Sequence, residues 1–162
     1  KQGLIESNQN VHKLSHGIMP VQIDAQGLKS ALAELAAATN DQQEIRCYFE
    51  FSGTGTITNN AVATQLYRIA QESLNNALKH GKADDIRIAL CQDANQICLE
   101  IQDNGTGIDL GAAPRSSSAR SGLGLRIMSY RASILGGELQ VLRNAGRGTT
   151  VRCTIPTTGY LT

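Results

Sequence analysis

The chain has no tryptophan and only two phenylalanines and four tyrosines among its 162 residues. Hydrophobic residues still make up 41% of it, so the core that a chain of this length can bury must be mostly aliphatic. Long apolar runs are lacking, and none approaches the roughly 20 residues that span a bilayer as a helix. Neither sign of charge is in excess, with 15 basic against 14 acidic residues. Basic residues are not clustered with aromatics, so no nucleic-acid surface is expected. The four cysteines, Cys47, Cys91, Cys98 and Cys153, form no CxxC and lack zinc-ligand spacing. They fall inside apparent strands, where cysteine serves as a small hydrophobe in a reducing compartment. Cys91 and Cys98 could face each other across a hairpin turning at Ala94-Asn95, with the free thiols as the expected form.

The familiar nucleotide motifs are missing as well. There is no GxxxxGK[ST], and neither GTGIDL nor GLGLRI completes GxGxxG after a strand. No Ser-His-Asp set is suggested by spacing. The sequence opens on Lys1 without a signal peptide and reads as a piece of a longer protein. Residues 1–22 read as the end of a helix plus a linker, 23–158 as one domain, and 159–162 as a tail.

Periodicity supplies the elements. Asp24 caps a helix over GLKSALAELAAATN that ends near Asn40. EIRCYFEFSG alternates as a half-buried strand. From Thr64 to Gly81, Leu66, Ile69, Ala70, Ser73, Leu74, Ala77 and Leu78 make one apolar helical stripe, with Gly81 placed to end it. IRIALCQ and QICLEIQD form a hairpin, Thr106–Ser121 a long Gly/Ser/Ala loop, and Leu123–Leu135 a helix closed at Gly136-Gly137. ELQVLR and TTVRCTIP complete a last hairpin. The expected class is an α+β two-layer sandwich, a mixed and mainly antiparallel sheet with helices on one face.

Three segments carry chemistry. On the long helix Glu72, Asn76, Lys79 and His80 stand at i, i+4, i+7 and i+8, one strip beside the apolar stripe. An Asn oxygen beside a carboxylate suits Mg²⁺, a hard cation that keeps water and phosphate in its other positions. Lys79 can meet phosphates as a point charge, and Glu72 can orient or deprotonate an attacking group. The plain alternative is a solvated helix face. Asp103 ends a strand in DNGTGI, where a carboxylate would accept from an adenine amine. Gly105 and Gly107 would let a flat base approach the backbone, although D-N-G is also an ordinary turn. Gly122 and Gly124 open a helix whose bare N–H groups favour phosphate; closure of a flexible loop explains them equally well.

The order of these segments in one domain, ending in GRGTTV, resembles the ATP-binding catalytic domain of sensor histidine kinases. That is the Bergerat fold shared with DNA gyrase, Hsp90 and MutL ATPases. RIAQESLNNALKHGKAD resembles the asparagine box, DNGTGI and GLGLRIM the two glycine boxes, and the likeness covers roughly residues 26–156. QESLNNALKH, a short lid without a phenylalanine box, and LSHGIMPVQIDAQGLKSAL resemble the nitrate-sensor-like branch.

The resemblance implies ATP and Mg²⁺ as cofactors. Asn76 would be a metal ligand, with Glu72 beside it as ligand or as the base of the related ATPases, and Asp103 would bind the adenine amine. Lys79 and His80 would lie near the phosphates. Gly105, Gly107, Gly122 and Gly124 would frame the lid, Ile108, Leu123 and Leu125 would belong to the nucleotide site, and Thr149 would sit behind the adenine. It also implies phosphotransfer to a histidine on an upstream dimerisation domain, relay to a response regulator, a homodimeric full-length protein, and a cytoplasmic domain that a membrane-anchored sensor could carry. In that branch an acidic residue follows the acceptor histidine, whereas Lys13 follows His12 and Gly17 follows His16, so the acceptor is expected upstream of this chain. A serine protein kinase of the anti-sigma type and a nucleotide-binding module without turnover are the rival readings.

Overall fold

In a computed structural model, which describes residues 23–42, 44–108 and 119–158, Asp24 starts the domain as its sequence suggests. Its carboxylate accepts the Gln26 N–H at 3.4 Å, and a 3₁₀ turn at Ala25–Gly27 runs straight into helix α1, Leu28–Asn40. Strand β1, Arg46–Gly53, follows, and then the long helix α2, Asn60–Lys79. This helix begins four residues before the expected Thr64. The Asn59 side chain accepts the N–H groups of Ala61 and Val62, at 2.9 and 3.2 Å, which supplies the cap that the apolar period alone does not reveal.

Strands β2, Asp85–Gln92, and β3, Gln96–Asp103, form the expected hairpin. Helix α3 spans Ala119–Ile134, and β4, Glu138–Arg143, pairs with β5, Thr149–Pro156. The sheet order is β1-β2-β3-β5-β4, parallel only between β1 and β2. A mixed, mainly antiparallel sheet with helices on one face is therefore the observed class.

Alternation decides which side of each strand is buried. Ile86, Ile88 and Leu90 of β2 and Ile97, Leu99 and Ile101 of β3 are at most 1% exposed. They join Leu32, Leu66, Ile69 and Met128 of the helices in one aliphatic core. Burying each such side chain contributes about 1.5–3 kcal/mol. The opposite face carries a ladder of ion pairs across four strands: Glu50–Arg87 at 2.8 Å, Arg87–Glu100 at 3.2 Å and Glu100–Arg152 at 2.8 Å. Partly exposed pairs of this kind add little stability.

The two ends of the sheet differ. At one end Asp103 pairs with Ile86, close to the C-terminus of α2. At the other, Gln92 is 1% exposed and lines a cavity of about 330 Å³ with Ala25, Leu28, Lys29 and Ile57. Neither polar atom of its side-chain amide has a hydrogen-bond partner among the described residues.

Candidate functional site

The C-terminus of α2 sets the first wall of the site. The N–H groups of His80 and Gly81 both donate to the Asn76 carbonyl at 3.0 Å, and the Ala83 N–H donates to Ala77 at 3.0 Å. Gly81 does not supply the left-handed residue that commonly ends a helix; that residue is Lys82, at φ 49°. Gly81 instead provides room. A β-carbon there would lie 2.8 Å from the Ala77 carbonyl oxygen, and its own carbonyl accepts the Thr106 N–H at 2.8 Å.

That bond seats the DNGTG turn on the helix end. A β-carbon at Gly105 would lie 2.8 Å from the Gly81 carbonyl carbon, so the two motifs touch backbone to backbone. Asn104 holds the turn from the other side: its side-chain oxygen accepts the Asp84 and Asp85 N–H groups at 3.1 and 3.0 Å. Its amide nitrogen donates to the Asp84 carboxylate at 2.6 Å.

Asp103 is 9% exposed. Its Oδ1 accepts the N–H of Gly105 at 2.8 Å and of Thr149 at 3.3 Å. Both bonds fall on Oδ1, and Oδ2 accepts neither. One oxygen therefore orients the carboxylate, while the other, outside both bonds, can accept a further donor. Behind it, Gly148 stands at φ 96°, and a β-carbon there would collide with the Asp103 carbonyl oxygen. The Asn144 amide donates to that same carbonyl at 3.0 Å and accepts the Thr150 hydroxyl at 2.6 Å. Gly107, at φ 82°, lies with its would-be β-carbon 3.3 Å from the Gly148 carbonyl oxygen.

Helix α3 closes the other side. It begins at Ala119, so Gly122 and Gly124 lie inside its first two turns rather than opening it as expected. Gly122 is still among the first four residues, whose N–H groups have no intrahelical partner. Gly124 has passed that point and serves contact instead: the Glu72 carboxylate occupies the space its β-carbon would need. Farther along, the Ser73 hydroxyl donates to Met128 Sδ at 3.3 Å and Arg131 donates to Gln65 Oε1 at 2.6 Å, tying α3 to α2.

Glu72 and Asn76 are half-buried one turn apart on α2. Among the described residues neither side chain is engaged in a hydrogen bond or ion pair. Two unspent hard oxygens in that arrangement fit Mg²⁺. Lys79 and His80 are exposed at the helix end, free to reach a charged group. Leu125 packs partly against the core, and Ile108 is half-buried. Leu123, expected at the nucleotide, is 56% exposed. It begins an outward stripe with Ile127, Tyr130 and Ile134, exposed by 41, 67 and 49%. Residues 109–118 of the expected Thr106–Ser121 loop and the segment holding His12 and His16 lie outside the described residues.

The structure thus ties Asp103, Gly105 and Thr149 to the end of α2 at Asn76 and Gly81, and sets Glu72 of the same helix against Gly124 of α3. Sequence reasoning missed Gly81, Asn104 and Asn144. Each is an ordinary turn former in its local sequence, and what sets it apart is a partner 20 or more residues away.

Three comparisons bear on this geometry. Residues 61–159 match the family model described as histidine kinase-, DNA gyrase B-, and HSP90-like ATPase. The chain is 30% identical over 151 residues to the sensor histidine kinase LiaS of Bacillus subtilis, and 32% identical over 148 residues to the sensor histidine kinase MctS of Rhizobium johnstonii. These alignments cover 93% and 91% of this chain but only 40% and 32% of the relatives, so it spans well under half of their length. Among solved structures, the ATP-binding domain of PrrB from Mycobacterium tuberculosis superposes with a TM-score of 0.61 at 21% identity, over 84% of this chain and 96% of that one.

Proposed function

The chain belongs to the histidine kinase-, DNA gyrase B- and HSP90-like ATPases, and from that premise we propose that it is the ATP-binding catalytic domain of a sensor histidine kinase. It would pass the γ-phosphoryl group to a histidine on an upstream domain, for relay to a response regulator. The observation that carries this reading is that Asp103 is fixed against the end of α2, whose polar strip meets α3 where Glu72 touches Gly124. Both curated relatives bear the name of sensor histidine kinases.

In this reading Asp103 Oδ2 accepts the adenine amine, while Oδ1 keeps the carboxylate fixed. Fixing it beforehand avoids an ordering cost on binding. Thr149 lies behind the base, and Gly105 and Gly107 keep side chains off its face. Asn76 and Glu72 would hold Mg²⁺, which supplies neutralisation of the phosphate charge. Lys79 and His80 approach the phosphates from the end of α2, and the first-turn N–H groups of α3 favour an anion. Phosphoryl transfer needs little from the protein beyond such positioning and charge stabilisation.

The outward stripe Leu123, Ile127, Tyr130 and Ile134 beside this site supports docking of the acceptor domain, because large exposed apolar patches mark interaction surfaces. A homodimeric full-length protein is part of the same proposal. No helix among the described residues is long and apolar enough to cross a membrane.

The test joins this chain to the region that precedes it in its parent protein and supplies radiolabelled ATP. Acid-labile, base-stable label on the upstream region is expected. Acid-stable label on a partner protein would favour the serine-kinase reading. Bound ATP with no transfer would favour a module without turnover.

A further inference from the structure

We propose that Cys91 and Cys98 form a reversible dithiol–disulfide pair on the open face of the sheet, oxidised by low-molecular-weight disulfides. The two residues are directly opposed in the β2–β3 register, and all four cysteines are free thiols in this structure. Opposed residues of an antiparallel pair have Cα atoms about 4.5–5.5 Å apart, inside the roughly 4.4–6.8 Å that a disulfide spans. Both side chains alternate with the core-facing Leu90, Gln92, Ile97 and Leu99, so among the described residues they lie on the face away from the helices, where the ion-pair ladder runs.

The register that opposes them is held close by. The Asp93 carboxylate accepts the N–H groups of Asn95 and Gln96 at 2.7 and 2.8 Å, and the Asp93 N–H donates to the Gln96 carbonyl at 3.0 Å. The hairpin therefore presents the pair without unfolding. Accessibility separates the roles: Cys91 is exposed and Cys98 half-buried. Around Cys98, burial acts first to push the thiol up and the Thr154 hydroxyl, 3.9 Å from Sγ, opposes it. Glu100 and Cys91 raise it further and Arg152 lowers it. Cys47 and Cys153, by contrast, are buried, and burial pushes their thiols up to about 11 and about 12. They stay out of the exchange, because the thiolate is the nucleophile.

The chemistry is two successive exchanges. The Cys91 thiolate attacks one sulfur of the small disulfide, forming a mixed disulfide and expelling one thiolate. The Cys98 thiolate then attacks Cys91 Sγ, closing the Cys91–Cys98 bond and expelling the second. The pair loses two electrons and two protons, and the small disulfide becomes two thiols. A bond spanning such a short hairpin constrains little of the unfolded chain, and an exposed bond of this kind is readily reduced again.

The full chain, and its Cys91→Ser and Cys98→Ser variants, would be incubated with oxidised glutathione, alkylated in denaturant and mapped by peptide mass. The native chain is expected to lose two alkylatable thiols, retain no glutathione, and carry an internal bond between Cys91 and Cys98. Cys98→Ser should retain one glutathione on Cys91, and Cys91→Ser should react at least tenfold more slowly. Dithiothreitol should reverse each product. Circular dichroism would establish that both variants fold. Stable glutathione on Cys91 of the native chain with Cys98 still alkylated would overturn the proposal, as would no reaction or a bond only between two chains.

Discussion

The Glu72 carboxylate on α2 fills the space that a β-carbon at Gly124 on α3 would need. The obstacle is the far end of a flexible side chain, so it can swing aside at small cost. Alanine is favoured over glycine by about 1 kcal/mol in a helix interior, which offsets the shift that the buried Gly124 would ask of Glu72. Gly124→Ala should therefore leave thermal stability unchanged or slightly raised while displacing Glu72 and, on the proposed function, lowering transfer to the joined upstream region at least tenfold. Gly122→Ala meets nothing within 4 Å, so it should gain stability with little loss of nucleotide affinity. Gly148→Ala would drive a β-carbon into the Asp103 backbone at positive φ and should cost about 3 kcal/mol or more. Thermal melts alongside kinase assays separate these three glycines.

Asp103→Asn keeps an oxygen that can accept from Gly105 and Thr149 but turns a donor toward the base. The fold should survive, as read by its melting temperature. ATP affinity in a calorimetric titration should fall by at least about 100-fold, roughly 3 kcal/mol, because a charge-assisted bond is lost and two donors confront each other. Unchanged affinity would remove Asp103 from the adenine site.

Asn76→Ala should weaken ATP binding when Mg²⁺ is present and leave it nearly unchanged in EDTA. Equal weakening in both would count against the metal role. Glu72→Gln retains the shape and loses the charge, so its effect should also be larger with the metal than without.

Gln92 buries an amide with no partner among the described residues. Gln92→Met replaces it with an apolar chain of similar length and should raise stability by about 1–2 kcal/mol, since an unpaired buried polar group costs roughly that much. Urea unfolding with an unchanged m-value would measure it.

Alkaline pH should destabilise the fold. Burial raises Cys153 to about 12 and Cys47 to about 11 from an ordinary value of 9.0. Between pH 9 and these values the unfolded chain releases protons that the folded chain keeps, so stability is full below pH 9 and falls as pH rises. Cys153→Ala should flatten the slope of unfolding free energy against pH in that window.

Much of this architecture was legible because strands bury alternate residues. The limits of β4 and β5 agree with the sequence reading, and those of β2 and β3 agree to within one residue. Helix starts were less so. The cap of α2 is Asn59, which precedes a stretch without apolar period, and α3 begins before the glycines that were expected to open it. In the candidate site, Asp103, Asn76 and Glu72 were visible through their motifs, because charge or amide at a helical or strand-end spacing is unusual enough to notice. Gly81, Asn104 and Asn144 were not. Their importance lies in backbone partners contributed by segments distant in the chain, and nothing in a local window encodes that.

Helix α3 carries Leu123, Ile127, Tyr130 and Ile134 on one side, and a neighbouring side rests against Glu72 at Gly124. A hydrogen-bonded rod does not bend easily, so these two sides are the handle and the blade of one tool. A grip on the outer stripe that rolls or slides α3 moves the wall beside the carboxylate by a comparable amount. No chain of intermediate residues is needed to carry the message.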